Sequence, residues 1–279
     1  MPISFFISKT GIVLKNRGDP AINYVYQNGI WGDIIQSTKP TLIALGDHFF
    51  YLEYQDDIRS KVIVRNEKIN SLEDFYNFEH LYPNKKISAK VDHPYFAMNS
   101  VWPLKNILPV FIQSNKKYWM NYNSAITSHD LLQNNIIFIG SYKTLGVFEQ
   151  VAKKLKFCFS DMFKDIVPSD STNIPFLIYE SEGNAREFHR DYCIFAKVPG
   201  PSDNIIMLFI SFHATGTCGG TEFLTHPVTM QRTEDILKKK YGEVPKFFEI
   251  LFEVHGFNRI NLKSEIKDFF QIDSTAKFW

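Results

Sequence analysis

The residues best suited to chemistry sit at the ends of the most apolar runs. Gly46 and Asp47 follow PTLIAL; Gly140, Ser141, Lys143 and Thr144 follow or close NIIFI; Thr215, Gly216 and Thr217 follow IIMLFISF. Hydroxyls and one ammonium where a helix begins could hold a carboxylate or phosphate, because the helix start carries positive partial charge. Glycines there let backbone amides approach a ligand closely. The stretch HATGTCGGTEFL is the richest case, and it predicts a loop over residues 213–220 with a helix from about Thr221. Its glycines are Gly216, Gly219 and Gly220, so it is neither G-x-G-x-x-G nor a P-loop, which would need Gly-Lys-Ser/Thr. Ser100, in MNSVWPLKN, precedes one more helical pattern and joins the candidate set.

A second chemistry competes with binding. Asp47, His48, His213 and Cys218 could supply acid–base or nucleophilic groups to a hydrolase acting on a nucleotide or ester. ALGDHFF invites comparison with a G-D-S esterase opening, but His48 stands where the serine would be and no D-x-x-H closes a triad. With no convincing nucleophile–base pair, no catalytic residue is assigned. No H-x-x-x-H or mixed Cys/His cluster is present, so neither a metal nor a cofactor is expected.

These residues need a frame to bring them together. The three apolar runs have the continuous character of strands buried on both faces, and after Gly140 and Ser141 the apolar spacing turns helical. INSLEDF and ITSHDLL each place a Ser, Thr or Asn three residues before an acid, the pattern of a helix N-terminus. KVIVRN, KYWMNY, PFLIYES and DYCIFAKVP read as edge or antiparallel strands, and VPGPSDN as a tight turn joining neighbours. FSDMFKDIVPSDSTN reads as an excursion, ESEGNAREFHRD as an exposed loop, and FFEILFEVHGF with FFQIDSTAKFW as a closing strand pair. The fold class is therefore α/β: a mostly parallel, doubly wound sheet, Rossmann-like or periplasmic-binding-protein-like, with antiparallel edge strands. In such a sheet ligands bind beyond the carboxyl ends of the strands, where these loops would converge.

Composition narrows the partners. The 279 residues are 44% hydrophobic and 22% charged, enough for a sizeable core in one large domain or two lobes. Basic and acidic residues balance at 31 and 30, which argues against nucleic-acid binding by this chain. LKKKYG reads as a solvated helix end. Three cysteines, Cys158, Cys193 and Cys218, suit reduced thiols in a cytoplasmic protein, or one pair plus a spare thiol in an oxidising compartment. No run reaches the roughly 20 apolar residues that span a bilayer.

One resemblance adds to this. KPTLIALGDHFFYLE, VRNEKINSLEDF, NIIFIGSYKT, DYCIFAKVPGPSDNIIMLFISFHATGTCGGTEFLTHP and AKFW, in this order, resemble the C-terminal sensor-like region of uncharacterised bacterial proteins. Those proteins often join that region to winged-helix, helical-repeat or membrane-anchor segments. The likeness runs from about residue 31 to 279, leaving 1–30 as an N-terminal segment before an α/β ligand-binding-like domain, with room for two lobes and a break near 160–190. It implies a signal-receiving module with a periplasmic-binding-protein type of fold. A small or hydroxyl residue is usual in that family at the position of Cys218, which speaks against a catalytic thiol. Asp47, Ser100, Ser141 and the loop Thr215, Gly216, Thr217 match the family. The function expected is sensing of a small polar or anionic molecule, a nucleotide among the options. A fused or separate effector or membrane-anchor partner and a homodimer remain open alternatives.

Overall fold

The computed structural model describes residues 25–55, 60–89, 95–160, 165–168 and 179–279, with the backbone of a two-residue ribbon that pairs 7–8 with 11–12. Most of PFLIYES and parts of the 159–173 excursion lie outside the described residues.

A seven-stranded mixed sheet organises the chain. Its strands are β1 Thr41–Leu45, β2 Tyr118–Tyr122, β3 Asn135–Ser141, β4 Phe188–Pro199, β5 Ile205–Ser211, β6 Phe248–Phe257 and β7 Ile260–Gln271. Their spatial order is β7-β6-β4-β5-β3-β1-β2. The four strands from β5 to β2 run parallel, and β4, β6 and β7 add antiparallel. The uninterrupted apolar runs become β1, β3 and β5, and every residue of the three is buried. That is the environment a two-face-covered parallel strand demands. KYWMNY is an edge strand as expected, yet it pairs parallel to β1.

Residues alternate between two cores with the period of two that a pleated strand imposes. Ile43, Ile137, Phe195 and Phe209 face one core; Leu42, Phe138, Ile194 and Leu208 face the other. Helices cover the first face: α1 Gly29–Gln36, then, past α2 Leu72–Leu81 and α3 Met98–Val101, α4 Leu104–Gln113; and, past α5 Ser128–Gln133 and α6 Glu149–Ala152, α7 Ala214–Thr225 and α8 Pro227–Tyr241. The second face is closed differently. Short turns, the ribbon of Phe157–Phe159, Asp165–Pro168 and Tyr179–Glu180, and Phe278 of the tail lie over it. The helix expected after Gly140 is cut into 3-10 turns and the single turn α6, because Gly146 adopts φ +50, a conformation that ends an α-helix.

The expected loop over 213–220 is instead the first half of α7. Glycine and threonine are weak helix formers, so local propensity pointed to a loop. Packing overrides it. A Cβ on Gly216 would lie 2.5 Å from the Tyr192 carbonyl oxygen, and one on Gly220 would lie 2.6 Å from Cys193 Sγ. The bare glycine face is what lets α7 settle directly on β4 and β6.

Between β1 and α3 the chain makes a small insert. Asp47–His48 pairs with Tyr95–Phe96, and a three-stranded antiparallel sheet orders Lys61–Val64, Tyr51–Tyr54 and Ile87–Ser88. With α2 it encloses its own core of Tyr51, Ile69 and Phe75. INSLEDF starts α2 as its pattern predicts: Ser71 accepts from the Asp74 amide, and Asp74 accepts from the Asn70 amide. Thr127 and Asp130 form the corresponding capping box of α5. No helix among the described residues is long and apolar enough to cross a membrane.

Candidate functional site

Strand register decides what meets at the carboxyl edge of the parallel strands. Leu45 lies beside Ile139, and Ser141 beside Ser211, so the chain leaves β1, β3 and β5 at one level. From β1 it continues toward β2, and from β3 toward β4, beyond β5 on the opposite side, so a crevice opens between them. Gly46 and Gly140 pack together there; a Cβ on Gly140 would stand 3.2 Å from the Gly46 Cα. Because β4 is antiparallel, its first residues reach the same edge, as does the β6–β7 turn.

A cleft of about 880 Å³ opens at this edge. Ser141, Tyr142 and Lys143 from the end of β3, and Phe212, His213 and Thr215 after β5, form its base. His48, Arg65 and Glu67 come from the insert, Met98 and Asn99 from α3, and Arg259 from the β6–β7 turn. Asn258 and Arg259 both have positive φ, 48° and 62°, as a tight two-residue hairpin requires. The volume is that of a small-molecule site.

Electrostatics concentrate where the insert meets β3. Lys143 Nζ lies 2.9 Å from Glu67 Oε1, although the Glu67 side chain is 78% exposed. Arg65 donates to the Ile69 carbonyl at 2.8 Å, to the Asn66 carbonyl and to Asn70 Oδ1, fixing the turn that presents Glu67. The Lys143 ammonium, and then Arg65 and His48, hold the Glu67 carboxyl below its usual range. Burial and, after it, the charges of Arg65 and Lys143 press His48 down to about 4, so its imidazole is neutral at physiological pH. His48 Nδ1 is buried and has no hydrogen-bond partner among the described residues. His213 is also lowered, by burial first and then by His189 and Lys143.

The sequence candidates divide sharply. Ser141, Lys143 and Thr215 line the cleft. Thr144 is turned inward: its hydroxyl accepts from the Ser141 amide and donates to the Ser141 carbonyl, closing the turn. Asp47 accepts from the Ser124 amide at 2.9 Å and from its hydroxyl at 2.6 Å, so it caps a neighbouring turn. Ser100 is fully buried and donates to the Gly46 carbonyl. Thr217 is buried and donates to the Ala214 carbonyl at 3.3 Å. The Gly216 amide is directed at Asp191 Oδ2, 2.6 Å away. Asp191 thus occupies the amino end of α7, also accepting from the His213 and Tyr192 amides. Burial pushes its carboxyl up to about 7 against the opposite pull of these amide bonds.

Of the residues considered for catalysis, His48 and His213 face the cleft. Cys218 is buried, and burial raises its thiol to about 11, far from the thiolate a nucleophile needs. Sequence reasoning missed Arg65, Glu67, His189, Asp191 and Arg259. His189 Nδ1 donates to the Glu187 carbonyl at 2.9 Å, and its Nε2 lies 2.7 Å from the Thr215 hydroxyl. Arg65 and Glu67 carried a faint signal as charges between a strand and a capped helix. His189, Asp191 and Arg259 carried none, since only antiparallel pairing brings them to this edge.

Among the described residues no group of three or more His, Cys, Asp or Glu side chains could hold a metal ion. Comparison of the chain with protein-family models, with curated proteins and with solved structures finds no match in any of the three.

Proposed function

We propose that this chain is a sensing module that takes up a small polar or anionic molecule in the cleft at the carboxyl ends of β1, β3 and β5. The observation that carries it is the cleft itself: about 880 Å³, based on the ends of β3 and β5 and lined by Lys143, Arg65, Arg259 and two imidazoles beside Glu67 and Glu180. A Rossmann-like or periplasmic-binding-protein-like use of the sheet is part of this reading, because both place ligands at such an edge. So is a setting in a bacterial signalling, regulatory or defence system, where ligand capture is passed to a fused or separate effector, to a membrane-anchor partner or across a homodimer. The hydrolase alternative would rest on His48 and His213, since Asp47 is engaged with Ser124 and Cys218 is buried.

Thermal-shift and calorimetric screening against nucleotides, amino acids and sugars tests the reading. A true ligand at a hundred times its Kd stabilises the fold by about 2.7 kcal/mol, a readily measured rise in Tm. Absence of stabilisation by every member of the panel at millimolar concentration would remove the binding function.

A further inference from the structure

We infer that the point where Lys143, Arg65 and His48 converge is a subsite for the phosphoryl group of a small organic molecule, and that Glu67 holds its place when no ligand is bound. The inference rests on the reading of the cleft as a ligand site and goes further by naming the chemistry of the ligand and the residues that select it.

Three observations support it. The chain itself sets an anion at this point: a largely exposed carboxylate, free to point into solvent, is drawn to Lys143 at 2.9 Å and lies within the field of Arg65. Lys143 meets the carboxylate directly, while Arg65, whose guanidinium serves Ile69, Asn66 and Asn70, adds its field. A phosphoryl group brings more charge and a third oxygen than a carboxylate, so it gains more from the Lys143 ammonium and the field of Arg65. The cleft is also much larger than a phosphate ion, and the Tyr142 ring, whose centroid lies 5.5 Å from Lys143 Nζ, borders the remaining space. That points to a phosphorylated organic molecule with an apolar or aromatic part, for which a nucleotide is the nearest probe. An exposed ion pair between Lys143 and Glu67 is weak, so a stronger anion displaces Glu67 at small cost.

The charged groups facing His48 are Arg65 and Glu67 from the insert turn, Lys143 from the end of β3, and Asp47 beside it in the chain. Exchange of the Glu67 monoanion for a phosphate dianion favours the imidazolium.

The test is calorimetry with AMP, pyrophosphate and adenosine against the wild type, Glu67→Gln and Lys143→Ala, with each variant's Tm confirming that it is folded. Removing the competing carboxylate should tighten AMP about three- to fivefold, the scale of an exposed ion pair. Lys143→Ala should weaken AMP about tenfold or more. Adenosine binding should be indifferent to Glu67→Gln. AMP binding with pyrophosphate silent identifies an organic phosphate; pyrophosphate binding as tightly as AMP, with the same response to both variants, identifies an inorganic one. The subsite is overturned if Glu67→Gln leaves the affinity for every phosphate probe unchanged or weaker, or if wild type and Glu67→Gln bind none of them. In that case a ligand found by the broader screen would keep the binding function alive without this subsite, and an empty screen would end both.

Discussion

At the scale of single residues, the buried carboxylates set the behaviour of the fold with pH. Glu249 is fully buried, accepts from the Lys156 amide at 2.8 Å, and burial pushes its carboxyl up to about 7. Asp191 is raised to about 7 in the same direction. Both folded-state values lie above those of the unfolded chain, so between about pH 4 and 7 the folded state binds more protons, and stability falls as pH rises through that window. Glu249→Gln keeps a carbonyl acceptor for the Lys156 amide and removes the ionisation. Urea unfolding at pH 5 and pH 8 should show a smaller loss across the interval in this variant than in the wild type; an unchanged difference would assign the fall elsewhere. Gly216 makes the complementary point. A side chain there meets both the Tyr192 carbonyl and Asp191 Oδ2, at 2.5 and 2.8 Å. Gly216→Val should therefore lower Tm steeply or prevent folding, rather than selectively remove ligand affinity.

At the scale of elements, the legible parts of the fold were those whose environment is written in their own sequence. β1, β3 and β5 announce themselves as apolar runs, the hairpin of β4 and β5 by its Gly/Pro turn, and α2 and α5 by their caps. α7 was not legible, because its glycines serve contacts with strands about 20 to 40 residues away in sequence and locally imitate a loop. The same holds for the cleft: Lys143, Ser141 and Thr215 follow directly from strand ends, while Arg259, and His189 and Asp191 behind Thr215 and Gly216, need the antiparallel register to arrive. α1 shows how an element can depend on a polar residue hidden in a strand. Lys197, only 1% exposed, donates to the Ile30 carbonyl at 2.9 Å and to Asp33 at 2.7 Å, and Glu234 accepts from the Ile30 amide. Lys197→Met fills nearly the same volume and leaves the Ile30 carbonyl without its donor. A loss of about 1–3 kcal/mol in denaturant unfolding is expected, since Asp33 is partly exposed and can rehydrate. A neutral result would show that α1 is held without Lys197, by the burial of Ile30, Trp31 and Ile34 and the bonds to Glu234 and Leu224.

At the scale of the whole molecule, the cleft joins two bodies of unequal strength. The seven-stranded sheet is packed on both faces by extensive cores, whereas the insert rests on Tyr51, Ile69 and Phe75 with a few half-buried neighbours. Its ties to the rest of the fold include the bonds from Ser124 to Asp47 and the Lys143–Glu67 ion pair. Regions with few buried contacts open at lower free energy than the global transition. The insert should therefore exchange and unfold as a unit before the sheet does, and it carries His48, Arg65 and Glu67. Phe75 is 1% exposed and touches Tyr51 and Phe49 through its ring. Removing a buried aromatic of this kind costs about 3–5 kcal/mol, a large share of what so small a core can supply. Phe75→Ala is expected to abolish amide protection in Tyr51–Tyr54 and α2 while β1, β3 and β5 keep theirs, measured by hydrogen exchange with mass spectrometry. Ligand affinity should disappear with the insert's protection, although Lys143 and Thr215 stay in place on the sheet. If instead protection falls uniformly through β1, β3 and β5, the insert and the sheet form one cooperative unit. Any ligand-driven movement would then have to come from the side chains of the cleft rather than from the insert as a body.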